Sequence, residues 1–384
     1  MNKSLADISV GQVHEAQQGA LMHLQLFVLG EVHRLLGEVN TAVLDALRRF
    51  PGDQPLPPAG ETIVRQAANN AWDTFISQYT QLIAVAMREA ASIPFGTWAV
   101  YHAAYILPYA NEVQEAIRPF QEQTATNDVL FKPQLQALID AAYRRTYHDG
   151  LNLSRRIWQL DTYGRSGLNN AIVLAIANAN SAWQLAQSVE QFLGPGQDCP
   201  RWTYDRLSEL TKADIAAGNT LGLYSGDECR GQGVSYNALR LARTEIQAIH
   251  HMATDMIFKT MPWIEQEQVN LSPEHAEIDE CDDAASGGET NNGVYPKGTI
   301  TLPIHSNCLC YKTAVLMDNQ AFVNKLRGWM HGEAAWSEMD QYAASLPYGW
   351  RMDLRESKIG YSMAYWLWES PVNFAALFWA IAGG

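Results

Sequence analysis

The stretch Ser272-Pro-Glu-His-Ala-Glu-Ile-Asp-Glu-Cys-Asp282, followed by Gly293-Val-Tyr-Pro296 and Pro303-Ile-His-Ser-Asn-Cys-Leu-Cys310, holds three of the chain's five cysteines and two of its ten histidines. Rich in Gly, Asn and Pro and poor in apolar side chains, it cannot build a core of its own, so a metal or tight thiol packing is expected to fasten it. Cys308 and Cys310 alternate along an extended run and point to one side. Together with Cys281 and one of His275 or His305 they complete a tetrahedron that suits one structural zinc ion. The same residues also allow a metal-free knot, in which His275, Asp279 and Arg243 or Glu245 hydrogen-bond one another and the thiols only pack. Both readings stand at this point.

Working outward, the chain reads as mainly α: an extended helical scaffold with a small α+β, cysteine- and histidine-rich module near its C-terminal third. Residues 1–232 form the scaffold, 233–315 the module and 316–384 a helical, aromatic-rich tail. Across 11–49, Val13, Leu21, Leu24, Phe27, Val28, Val32, Leu35 and Leu36 recur at the spacing of one buried helical stripe. The Pro- and Gly-rich run 50–60 ends it. Helices are expected over 61–92, stopping near Pro94, then over 97–123, and over 131–193 with a bend around Gly164 and Gly167. Shorter ones follow at 202–217 and 235–260. Alternation marks strands only at 265–271 and 298–315.

With 47% hydrophobic and 18% charged residues the composition is that of a folded protein. A formal charge of −14 disfavours binding along a nucleic-acid duplex, and Arg144-Arg145 and Arg155-Arg156 read as solvated helix faces. The odd number of cysteines, with no apolar signal segment, is expected of a chain made in a reducing cytoplasm. Cys199 and Cys229 read as incidental thiols, and His14, His23, His33, His250 and His251 as surface or half-buried histidines, since none has a carboxylate at metal-ligand spacing.

The order of pieces resembles a known family. Gly233-Val-Ser-Tyr-Asn-Ala-Leu-Arg-Leu-Ala-Arg-Thr-Glu-Ile-Gln247, the Ser-Pro-x-His-x-x-x-Asp-x-Cys-Asp turn, the Gly-Val-Tyr-Pro turn and a closing His-x-x-Cys-x-Cys are similar to the Mu F-like head morphogenesis proteins of tailed bacteriophages. The likeness is dense over 233–315 and weaker over 150–232. Ser306 stands where the family's closing motif has proline. The resemblance implies a minor head protein of the virion, made in the host cytoplasm. It implies contact with the portal protein and a part in head assembly, with capsid or scaffold proteins as further expected partners; weak or no direct DNA binding is expected from the charge, self-association from the aromatic tail, and no membrane from its interrupted apolar run.

A catalytic alternative comes from His275-Ala-Glu277, which matches half of the zinc-deaminase pattern. It would make the chain a deaminase- or nuclease-like effector carried in the head. The Pro-Cys-x-x-Cys half is missing, and no phosphate-binding loop, nucleophile elbow or His-Glu-x-x-His helix occurs, so a non-enzymatic role is expected. In the aromatic run 361–382, Glu369, Pro371 and Asn373 leave two halves too short to span a membrane. It reads as a helix pair docked on the protein's own core, or else as a tail inserted between neighbouring subunits.

Overall fold

The computed structural model describes residues 10–106, 127–147, 150–194 and 233–345, except 273–274, 276–277, 289, 306–307 and 331. The helix expected at 202–217, Cys199, Cys229 and the run 361–382 lie outside these residues. The described chain is mainly helical, as its apolar spacing predicts. Helices α1 (Val10–Leu47) and α2 (Pro58–Ile106) run for 38 and 49 residues, about 57 and 74 Å at the α-helical rise. They are followed by α3 (Asn127–Arg144), α4 (Leu153–Ala177), α5 (Ala182–Leu193) and α6 (Gly233–Thr260). Strand β1 (Ile264–Asn270), the short α7 (Glu280–Ser286), β2 (Val294–Pro296) and β3 (Tyr311–Leu316) come next. Helices α8 (Asn319–Met330) and α9 (Ser337–Ser345) close the described chain. No helix of the described residues is long and apolar enough to cross a membrane.

The expected stripe on α1 is buried except for Phe27, which is exposed. It packs along α2, whose inner face stacks Trp72, Phe75 and Tyr79 with ring centroids 4.7 and 5.6 Å apart. Three expectations are corrected here. First, Pro94 lies within α2 and does not end it. A proline removes one ladder hydrogen bond, but Ile93, Phe95 and Thr97 are buried around it, and tertiary packing holds the helix together across the lost bond. Second, 131–193 is broken elsewhere than at Gly164 and Gly167. One break precedes α4, where Asn152 caps the helix by accepting from Arg155 N. The other falls at Asn178-Ala179-Asn180, with Ala179 at φ 52° and Ser181 and Gln184 forming a reciprocal cap on α5.

The two glycines serve packing instead. A Cβ on Gly164 would lie 2.1 Å from the Trp72 ring, and one on Gly167 would lie 2.2 Å from Phe192. Each marks where an aromatic ring presses against the α4 backbone. The Trp72 indole is fixed in that position by donating to Asp161 Oδ1 at 2.8 Å.

Third, only the C-terminal end of 298–315 fits the expected strand. The described residues before Tyr311 are not strand, and a strand missed in the sequence, β2, pairs with β1 on the side opposite β3. The sheet has the order β2-β1-β3 and is antiparallel throughout, with Glu267 opposite Tyr295 on one side and Ala314 on the other. At three residues β2 is too short to show alternation.

The apolar core does not divide at residue 233. Ala314, Met317, Phe322 and Trp336 belong to the same buried cluster as the α1 and α2 side chains, with α6 between them. Tyr79 ties α2 to α6 by donating its hydroxyl to Ala238 O at 2.6 Å. The sheet is locked to α6 by a wholly buried cation. Lys312 of β3 pairs with Asp255 of α6, lies 3.4 Å from Glu267 Oε2 and donates to Ile300 O at 2.8 Å. Glu267 also accepts the backbone N–H groups of Gly298 and Ile300, each at 3.0 Å. Charges this deep persist because each is paired and hydrogen-bonded, and removing one partner leaves the others uncompensated.

Two outcomes follow. Gly164→Ala should cost about 1–3 kcal/mol in denaturant unfolding through overpacking on Trp72. Gly37→Ala, at an exposed site in α1 with nothing within 4 Å of the added methyl, should instead stabilise by about 0.5–1 kcal/mol. The second concerns acid. His14 is buried and burial holds its imidazole down at about 4, against 6.5 when exposed. The unfolded chain therefore binds more protons between those values, and stability is complete above about pH 6.5 and falls as pH drops toward 4. His14→Gln should flatten that part of the curve, and a parallel curve for the variant would show that His14 is not responsible.

Candidate metal centre

The cysteine-histidine stretch is assembled by three backbone devices. After β1, His275 N donates to Ser272 O at 2.9 Å. Asp279 then caps α7 by accepting from Cys281 N at 2.7 Å, while Asp282 reaches back to accept from Asp279 N at 2.9 Å. This is a reciprocal cap whose acidic first turn also suits the helix dipole. The Gly-Val-Tyr-Pro turn returns the chain to the sheet. Gly293, at φ 75°, would place a Cβ 2.6 Å from Ala285 O and 2.7 Å from Val269 O, so only glycine fits. Tyr295 closes the far end of α7 by donating to Ala284 O at 2.8 Å.

These devices bring Cys281, Cys308 and Cys310 together with Leu302 into a small buried cluster separate from the main core. Cys281 Sγ lies 3.5 Å from Cys308 Sγ and 3.3 Å from His305 Nε2. Cys281, His305 and Cys308 present one ligand atom each within 4.8 Å of one another and could hold a metal ion. All three cysteines are free thiols. Hydrogen bonds from the Cys281 and Cys310 thiols hold Cys308 well below the usual thiol range, with His305 adding to the effect, and Cys281 is pushed up because its proton is shared with Cys308. The lowering at Cys308 favours the thiolate, the form that binds metals.

Of the two histidines, His305 joins the thiols. Its Nε2 also lies 3.0 Å from Asp279 Oδ2, so the residue that caps α7 orients the ring as well. His275 is held differently. Its Nε2 is 2.6 Å from Asp282 Oδ2 and 3.7 Å from Asp279 Oδ1, and its Nδ1 approaches Cys310 Sγ only to 4.0 Å. His275, Asp279 and Asp282 form a second group of possible ligands beside the first. The Asp282 carboxyl sits below its ordinary range because it accepts from the Asp279 backbone and from His275. His275 Nε2 is thus paired with carboxylates, and Glu277 and Ser306 lie outside the described residues.

Glu245, one of the two residues that the metal-free knot could use, does not close the turns of this module. Glu245 is buried on α6 and its carboxylate accepts from Tyr147 and from Arg145, the latter at 3.4 Å. Arg145 and Arg156 lie 4.4 and 4.3 Å from the Tyr147 ring centre. Arg145 and Arg156 therefore serve a buried carboxylate and ring, where a solvated helix face was expected. Burial raises the Glu245 carboxyl above its ordinary range, against the lowering effect of Tyr147 and the arginines. Arg243 is buried too.

The α6 histidines differ from expectation as well. His250 and His251 are buried, their ring centroids 5.4 Å apart, and burial lowers both, His251 to about 4. His23 is exposed and His33 half-buried, as expected. The i, i+1 placement on a helix gave no sign that both rings would be covered, because α6 has neighbours on more than one side.

Cys308→Ala removes the buried thiol that Cys281 meets at 3.5 Å and that His305 and Cys310 surround. It should cost at least about 2 kcal/mol, read as a fall in Tm, whereas Ile278→Ala at a 93% exposed position should change nothing. Equal Tm values for the two variants would show that the cluster does not fasten the module.

No protein-family model, curated protein or solved structure matches this chain, so the chemistry of the centre is read from its own geometry.

Proposed function

We propose that this chain is a structural head-morphogenesis protein of a tailed bacteriophage, a minor head component that contacts the portal and assists head assembly or DNA passage, with its α+β module closed by one zinc ion. The observation that carries the zinc reading is the convergence of Cys281, at the start of α7, with His305 and Cys308, just before β3. For a zinc ion about 2.3 Å from sulfur and about 2.0 Å from nitrogen, tetrahedral edges are about 3.8 Å between sulfurs and about 3.5 Å between sulfur and nitrogen. The spacings of 3.5 and 3.3 Å in the cluster fit that frame with little movement. Cys310, buried beside them but outside the group whose ligand atoms lie within 4.8 Å of one another, moves in as the fourth ligand in this reading, and His305 Nε2 exchanges its contact with Asp279 Oδ2 for the metal.

A site made of three thiols and one imidazole has no position left for water, which suits a structural role over a hydrolytic one. The phage assignment rests on the order of the four motifs from Gly233 to Cys310. The tie between Tyr295 and α7, the Asp279 cap and the shared core with the long helices give each motif a folding task. A long helical body with a metal-stiffened end is suited to bridging two partners, here the portal and the head shell.

Purified virions test the role. The chain should be present in few copies, with its density at the portal vertex, and heads assembled without it should be defective. Normal heads that lack the chain would overturn the assignment, whatever the metal content of the isolated protein.

A further inference from the structure

A cleft of about 260 Å³ opens between α4 and α6, with Arg156 and Gln159 on one wall and Asn237 and Arg240 on the other. Its apolar part is formed by Tyr163, Leu160 and Leu241, and Glu245 lies at its floor. The charge balance inside it is opposite to that of the chain, whose formal charge is −14. Glu245, 1% exposed, is the one acidic residue of the lining against two basic ones, Arg156 and Arg240, so the walls are net positive although Arg156 also acts on Glu245. Arg156 is set in place beside the Tyr147 ring, and Arg240 lies 5.9 Å from the Tyr236 ring centre. Both guanidinium groups are thus pre-positioned on rigid helices, which lowers the entropic cost of using them.

Two forked donors on facing walls, with two amide side chains beside them, match an anion offering several oxygens in different directions, as a phosphate monoester does. The Tyr163 ring, 43% exposed, and the two leucines supply a surface on which a planar base can stack. The volume is that of a small ligand, and the acidity of the whole chain opposes a long polyanion. We propose that this cleft binds a mononucleotide, its phosphate held by Arg156 and Arg240 and its base against Tyr163. The site is separate from the metal centre and does not depend on the proposed phage role.

Titration calorimetry of the full chain with dAMP tests it, with inorganic phosphate and 5′-phosphorylated and unphosphorylated oligonucleotides as comparisons. Saturable binding of one dAMP per chain is expected, weakened about tenfold or more by Arg240→Gln at unchanged circular dichroism. Tyr163→Ala should weaken dAMP while leaving phosphate unaffected. Absence of saturable binding at millimolar dAMP, or equal affinity in a folded Arg240→Gln variant, would overturn the site. Tighter binding of the 5′-phosphorylated oligonucleotide than of dAMP would overturn the mononucleotide assignment in favour of a strand end.

Discussion

Burial of α6 on more than one side is the constraint on which the rest of the structure depends. A helix so enclosed would ordinarily be apolar all round, yet α6 buries Ser235, Arg243, Thr244, Glu245, Gln247, His250, His251 and Thr254. Each buried polar group must find a partner or carry a desolvation cost, and the partners fix where neighbouring elements lie. Thr244 and Thr254 donate back to carbonyls of their own helix, Arg240 O and His250 O. Glu245 and Asp255 cannot do so. Glu245 demands Tyr147 and Arg145, which places the α3–α4 connection, and Asp255 demands Lys312, which places β3. Two carboxylates ten residues apart on one helix thereby attach the helical body to one end and the sheet to the other.

The small module depends on this arrangement for its position and on its own chemistry for closure. Its three strands are short, and its turns between β2 and β3 carry few apolar side chains beyond Ile300, Leu302 and Ile304. The buried network around Glu267 satisfies the backbone of the 298–300 turn, and the thiol cluster gathers the segment that follows. A metal there would supply folding free energy directly, replacing a hydrophobic core that the segment lacks the residues to build. Asp279 both starts α7 and meets His305 Nε2, so one side chain ties helix capping to the position of the imidazole.

Much of this was legible in the sequence. The α1 stripe, the break at 50–60, α6 and β1 follow from period and punctuation, and the gathering of Cys281, Cys308 and His305 follows from their density in one stretch. What was not legible depends on partners distant in the chain. Pro94 was read as a stop because local rules penalise proline, and only burial of its neighbours against the rest of the core overrides them. Gly164 and Gly167 were read as bends, but their role is fixed by Trp72 and Phe192, which no local pattern links to them. Glu245 was assigned to the module because it is close in sequence, whereas helical rotation turns it toward Tyr147. The pairing of Lys312 with Asp255 and Glu267 had no sequence signal beyond a lysine inside a strand that is otherwise apolar on its inner face.

X-ray absorption at the zinc edge on the purified chain tests the central claim most directly, because it reads ligand type and distance together. The account predicts a first shell of three sulfurs at about 2.3 Å and one nitrogen at about 2.0 Å. A shell dominated by oxygen, two imidazoles in place of one, or protein that contains no zinc after expression in zinc-replete medium would contradict it.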